Sequence, residues 1–153
     1  ALAAGNLKRL PLPKNTVLTP HPGDAARLLG SSVRQVQADR SAAARALAET
    51  YGCVAVLKGS GTLIAQPDGT LWHCTTGNAG LAKGGSGDVL AGMTAGLLAA
   101  GLPQGRTAAQ MAALAVWLHG EAADRCAGQR SMTAMLPQDL FEELGYLLTE
   151  LEG

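Results

Sequence analysis

Apolar and polar positions change period several times along this chain, and the changes divide it into elements. Thr16 to Thr19 is β-branched and apolar, a short strand, and Pro20 keeps the backbone extended after it. Pro22 suits the first position of a helix whose opening turn carries Asp24. Ala25, Ala26, Leu28 and Leu29 continue that helix and Gly30 stops it. From Ser32 to Tyr51, Val33, Val36, Ala43, Leu47 and Tyr51 supply one apolar face, with a break near Asp39. Three strand-like runs follow, Cys53 to Leu57, Thr62 to Gln66 and Leu71 to Cys74. The last two flank Pro67-Asp68-Gly69, which has the chemistry of a hairpin turn. Thr75 to Gly87 is a Gly-rich loop. Helices are predicted from Asp88 to Ala100, from Arg106 to Ala127, and from Pro137 onward with Leu140, Phe141, Leu144, Leu147 and Leu148. Gly92 and Gly96, one helical turn apart, are expected to seat their helix tightly on a neighbour. Strands alternate with helices early and helices dominate later, which predicts an α/β sandwich.

Composition narrows the class. The 153 residues fit one domain, and with 47% hydrophobic and 16% charged residues the chain is globular and not disordered. Aromatics are only 3%, so Ala, Leu and Val must build the core. Twelve basic residues balance twelve acidic ones. That leaves no concentrated positive field of the kind nucleic-acid binding needs. The longest apolar run, Val89 to Leu102, falls short of the ~20 residues that span a bilayer and is expected to be a buried helix. A short apolar stretch precedes Lys8 and Arg9, the reverse of a signal peptide's charge order. Cys53, Cys74 and Cys126 lack metal-ligand spacing and are expected as free thiols in a reducing, cytoplasmic setting. The first residue is Ala1 and not Met, as in a processed or truncated product.

Three stretches carry candidate chemistry. In Gly84-Gly85-Ser86-Gly87-Asp88 small residues let backbone N–H groups crowd around one point at the start of a helix, an anion hole. Asp88 could take a proton from a substrate hydroxyl, or be an ordinary helix-start acid. No Gly-Lys-Ser/Thr ending makes this a P-loop, and Leu90 stands where a dinucleotide fingerprint has its third glycine. Thr19-Pro20-His21-Pro22-Gly23-Asp24 lies at a strand end, where open α/β sheets bind ligands. His21 is there either a ligand contact or a turn and capping residue. In Val56-Leu57-Lys58-Gly59-Ser60-Gly61-Thr62 the lysine ends a strand and small residues leave room for a phosphate or ribose, although such turns are often mere connections. His73, His119 and Lys83 read individually as structural or solvated.

In this order, TPHPGDAARLLG, VLKGSGT and GNAGLAKGGSGDVLAG resemble the ADP/ATP-dependent NAD(P)H-hydrate dehydratases, a branch of the ribokinase-like superfamily often fused to an NAD(P)H-hydrate epimerase. A looser similarity links them from Val17 through about Asp124. His21 points to the dehydratase branch, because sugar and vitamin kinases tend to carry Asn there. The resemblance implies a ribokinase-like α/β/α sandwich, with residues 1–153 as the C-terminal part of one such domain. It implies phosphorylation of the ring hydroxyl of the 6S hydrate by ADP or ATP with Mg²⁺, then loss of phosphate to restore NADH or NADPH.

Carried over position by position, Asp88 would contact the hydrate and act as base, and His21 would line the substrate site. Lys58, Gly59, Ser60, Gly61, Thr62 and Gly87 would hold the adenine nucleotide. Gly85, Ser86 and Gly87 would stabilise the transferring phosphoryl group. Asp24 stands where the family usually has Glu, and Lys83 adds a cation near the anion hole. Ala1 to Gly5 resembles the segment just after the family's mid-domain strand. The expected assembly is therefore a homo-oligomer or a complex with the missing half, with an epimerase as a fused or separate partner. The competing readings are a ribokinase-like kinase acting on a stable alcohol, and a nucleotide-binding fragment without catalysis.

Overall fold

A computed structural model describes residues 12–153; the expected match at Ala1–Gly5 and the Lys8-Arg9 pair lie outside them. Strand β1 (Val17–Leu18) leads through Pro20 into helix α1 (Pro22–Leu29), which Gly30 ends. Helices α2 (Val33–Ala38) and α3 (Arg40–Tyr51) meet at Asp39, where the sequence places a break. Asp39 closes one and caps the next by accepting from the Ala42 N–H at 2.9 Å. Strands β2 (Val54–Leu57), β3 (Leu63–Ala65) and β4 (Leu71–His73) follow. After the Gly-rich loop come α4 (Ser86–Gly101), α5 (Ala108–Gln129) and α6 (Leu140–Glu152).

The sheet runs β1-β2-β3-β4. β1 and β2 are parallel, pairing Val17 with Val54, and β2-β3-β4 continue antiparallel. Both faces of the central strands are covered, so the side-chain alternation separates two cores. Ala55, Leu57, Leu63 and Ala65 face α1–α3, packing on Ala25, Val36, Ala44 and Leu47. Val54, Val56 and Ile64 face the other way, onto Leu90 of α4 and Ala112, Ala115 and Val116 of α5. Burying side chains such as Leu57 and Ile64 contributes roughly 1.5–3 kcal/mol each. The result is the three-layer α/β/α sandwich expected from the sequence. A third core joins α5 to α6 through Leu118, Ala122, Cys126, Leu140, Leu144 and Leu147.

Several expectations need correction. Helix α4 starts at Ser86, two residues before Asp88, because Gly85 at φ 95° caps it in a conformation that an L side chain rarely adopts. Nor is it a buried helix: only Ser86, Leu90, Thr94 and Gly101 are buried. A Cβ on Gly92 or Gly96 would meet nothing within 4 Å among the described residues, so the close packing expected there is not seen among them. Their role is taken by Leu90 and Thr94, one turn apart on the opposite, buried side. Val33, Phe141 and Leu148 are exposed, because α2 buries only Val36 and α6 turns Leu140, Leu144 and Leu147 inward. Pro137 opens a short 3-10 turn, Pro137–Asp139, and α6 begins after it. The three cysteines are buried free thiols. No helix among the described residues is long and apolar enough to cross a membrane.

Candidate functional site

Two turns leave the carboxyl ends of the parallel strands side by side. The Lys58 N–H donates to the Pro20 carbonyl at 3.0 Å, carrying the β1–β2 ladder one step further and setting His21 near Lys58. The Lys58–Thr62 turn is held from beneath by a residue the sequence did not suggest. Arg40, from α3, gives Nη2 to the carbonyls of Leu57 (3.2 Å) and Gly61 (3.3 Å), and both terminal nitrogens to that of Lys58 (3.4 Å). Thr62 closes the turn, its Oγ1 donating to the Gly59 carbonyl at 3.1 Å.

The Gly-rich loop comes in from the other layer and is tied to α5. Asp124 accepts from the Gly77 N–H at 2.7 Å and the Asn78 side-chain amide at 2.9 Å. Thr76 Oγ1 donates to the Trp117 carbonyl at 3.1 Å. A Cβ at Gly120 would stand 2.7 Å from the Thr76 carbonyl carbon, so only glycine admits this approach. Lys83 borders the same cavity as Ser86 and Gly87, but its Nζ donates to the carbonyls of Thr133 (2.6 Å), Met132 (3.4 Å) and Met135, pinning the loop before α6. Three carbonyls in reach hold an ammonium better than a helix end that repels it.

Between the two layers lies a cavity of about 690 Å³. Its polar wall is the Lys58–Thr62 turn with His21, Ser86 and Gly87, and its apolar wall includes Leu81, Leu90 and Val116. On the cavity wall a Cβ on Gly87 would meet Lys58 Nζ at 2.8 Å, so the ammonium lies against the first turn of α4. Among the described residues no carboxylate pairs with Lys58, and the Gly87 N–H has no acceptor. A cation at the positive end of a helix dipole is unfavourable unless an anion sits between them. The geometry is suited to an anion, a phosphate among them.

His21 is a capping residue that also borders the cavity. Its Nδ1 accepts from the Gly23 and Asp24 N–H groups at 2.9 and 3.1 Å, capping α1, and its ring also lines the cavity. Since Nδ1 accepts, the ring proton is on Nε2, 3.2 Å from Asp24 Oδ2. Asp24 also lies 3.6 Å from Arg27 Nη1. Gly85 and Asp88 do not line the cavity: Gly85 supplies the cap, and Asp88, third residue of α4, is exposed. No group of three or more His, Cys, Asp or Glu among the described residues could hold a metal ion by itself.

His119 is buried in the middle of α5 and faces the site. Its Nε2 lies 3.1 Å from the Ser86 carbonyl and 3.3 Å from Ser86 Oγ. Burial, then the nearby Lys58 charge, pushes its pKa down, while the Ser86 carbonyl opposes that shift.

Layers, strand-end turns and a glycine-capped helix facing a cavity define a domain of the ribokinase-like class. The solved structure of a ribokinase-like superfamily protein from Enterococcus faecalis superposes with a TM-score of 0.71 at 29% identity, over 90% of this chain and 45% of that one. The family model for NAD(P)H-hydrate dehydratases matches residues 4–145, and the chain belongs to that family.

Two curated relatives and one structure mark the likeness. An ADP-dependent (S)-NAD(P)H-hydrate dehydratase of Neisseria meningitidis is 53% identical over 111 residues, 72% of this chain and 36% of that protein. A bifunctional NAD(P)H-hydrate repair enzyme of Moorella thermoacetica is 48% identical over 136 residues, 89% of this chain and 25% of the relative. The Bacillus subtilis ADP/ATP-dependent NAD(P)H-hydrate dehydratase, co-crystallised with ATP and Mg²⁺ and soaked with CoA, gives a TM-score of 0.77 at 38% identity. That match covers 88% of this chain and 48% of the other. The chain thus spans about half the length of its solved relatives and less of the curated ones.

Proposed function

We propose that this chain is the nucleotide-holding, C-terminal part of an ADP/ATP-dependent NAD(P)H-hydrate dehydratase. The observation that carries the proposal is the Lys58 ammonium lying over Gly87 with no counter-ion among the described residues. A terminal phosphate seated there would be bound by Lys58, the Gly87 N–H and the Lys58–Thr62 turn, with the nucleoside in the remaining cavity. Mg²⁺, which dehydrates reluctantly, would be carried in on the phosphates and neutralise their charge.

Asp88, outside the cavity and one residue past the seat, is suited to meet the second substrate from its exposed side. Its carboxylate would take the proton of the hydrate's ring hydroxyl as that oxygen receives the terminal phosphoryl group. The C–O bond then breaks, inorganic phosphate leaves, and loss of a proton from the neighbouring ring carbon restores the reduced nicotinamide. His21, fixed by its capping bonds, would border the hydrate. The working compartment proposed is the cytoplasm, which suits three free thiols. The gene product that carries this chain is proposed to be a homo-oligomer, with an epimerase fused to it or acting as a separate partner.

The test incubates that gene product with the 6S hydrate, Mg²⁺ and ADP or ATP, and follows the absorbance of the reduced cofactor. Recovery of the cofactor with release of phosphate supports the proposal. A stable phosphorylated product would make the protein a kinase, and nucleotide binding without turnover a binding module. The isolated 153 residues are expected to bind the nucleotide and to turn over little or no hydrate.

A further inference from the structure

Ser86 opens α4 and is 4% exposed; His119 faces it from α5 and is 6% exposed. The distances fix the direction of their hydrogen bond. A carbonyl oxygen only accepts, so the 3.1 Å contact with the Ser86 carbonyl puts the imidazole hydrogen on Nε2. A nitrogen bearing that hydrogen cannot also accept one from the Ser86 hydroxyl. The 3.3 Å contact is therefore a second limb of the same donor, reaching Oγ. Oγ has no other partner among the described residues, so the hydroxyl hydrogen has no acceptor among them. Ser86 lines the cavity beside two further donors without acceptors, the Gly87 N–H and the Lys58 ammonium.

We infer that His119 is a positioning residue: by giving Nε2–H to both Ser86 oxygens it turns the Ser86 O–H outward as a donor to a phosphate on the amino end of α4. The inference rests on reading that helix end as a phosphate seat. Burial above all, with the Lys58 charge adding to it, disfavours the charged form of the ring, and the role assigned to His119 is one of orientation. It also anchors the first turn of α4 through the Ser86 carbonyl, joining the donors of the seat to α5.

The experiment titrates the gene product carrying this chain with ATP and with adenosine by calorimetry, as wild type, Ser86→Ala, His119→Leu, His119→Gln and the Ser86→Ala/His119→Leu double variant. Ser86→Ala and His119→Leu should each weaken ATP roughly tenfold, the scale of one hydrogen bond to a charged group, with adenosine unchanged. The double variant should be no weaker than Ser86→Ala alone, because His119 acts through that hydroxyl. His119→Gln, which keeps an N–H of similar reach, should restore most of the ATP affinity. Wild-type ATP affinity in Ser86→Ala overturns the inference while leaving the phosphate seat standing. So does equal loss of adenosine binding in His119→Leu, or a failed rescue by glutamine. A wild type that binds ATP no tighter than adenosine overturns the seat itself and the inference with it. Should His119→Leu fail to fold, Ser86→Ala and His119→Gln still decide the matter.

Discussion

The Lys58 ammonium stands 2.8 Å from the point where a Cβ on Gly87 would project. Binding and stability therefore pull in opposite directions at one point. Replacing Lys58 with Met removes a cation from the positive end of α4 and should raise ligand-free stability by about 0.3–1 kcal/mol, read by urea denaturation. The same variant should bind ADP or ATP at least tenfold more weakly in calorimetry. Gly87→Ala should also weaken the nucleotide by displacing the ammonium, with little loss of stability because a flexible side chain can move. A Lys58→Met variant that is less stable and binds normally would contradict the electrostatic account.

Arg40 spreads its guanidinium over the carbonyls of Leu57, Lys58 and Gly61. Arg40→Ala should cost about 1–3 kcal/mol and weaken nucleotide binding, since the turn's carbonyls lose their donor. Arg40→Lys should rescue little, because a single ammonium cannot reproduce the planar fork. Denaturation and titration of both variants check this, and full rescue by lysine would refute the fork argument.

His119 gives stability a pH dependence. Its pKa is lowered in the folded protein, chiefly by burial, with Lys58 adding repulsion. The unfolded chain then binds a proton near the ordinary histidine range that the folded chain refuses. This contribution is complete above that range and is lost as pH falls through it, by at most about 1.4 kcal/mol per pH unit. Lys58 and the Ser86 carbonyl are the groups that act on the ring in opposite senses. His119→Gln should therefore lose less stability than wild type between pH 7 and pH 5, by denaturation at matched ionic strength. Parallel losses would mean that other groups carry the effect.

Asp88→Asn, in the gene product that carries this chain, should lower turnover by about 10²–10⁴ while nucleotide affinity stays nearly unchanged. Its exposed position outside the cavity is the reason to expect the two readouts to separate. Near-normal turnover would remove Asp88 from its proposed role.

The strand-end turns and the glycine loop were legible in the sequence because each is local. A strand, a proline and a small-residue turn sit within a few positions of one another. The break at Asp39 and the Pro67-Asp68-Gly69 hairpin were legible for the same reason. What holds the site together was not. His119 meets Ser86 across 33 residues, Asp124 meets Gly77 across 47, and Arg40 reaches Gly61 across 21. Those contacts exist only once α3, α4 and α5 pack on the sheet. Lys83 shows the limit most plainly, since its expected partner was the nearest motif and its actual partners lie in the segment before α6.

The proposed phosphate seat draws its donors from both sides of the sheet. Lys58 rides on a turn that α3 holds through Arg40, while Gly87 and Ser86 belong to α4 and answer to α5. The core under α1–α3 and the core under α4–α5 share only the sheet between them. A nucleotide bound in the cavity would therefore act as a rivet through both halves of the sandwich. Neither half could open without shedding it, so a molecule small enough to fill one cleft would slow hydrogen exchange in Leu47 of α3 and Ala115 of α5 together.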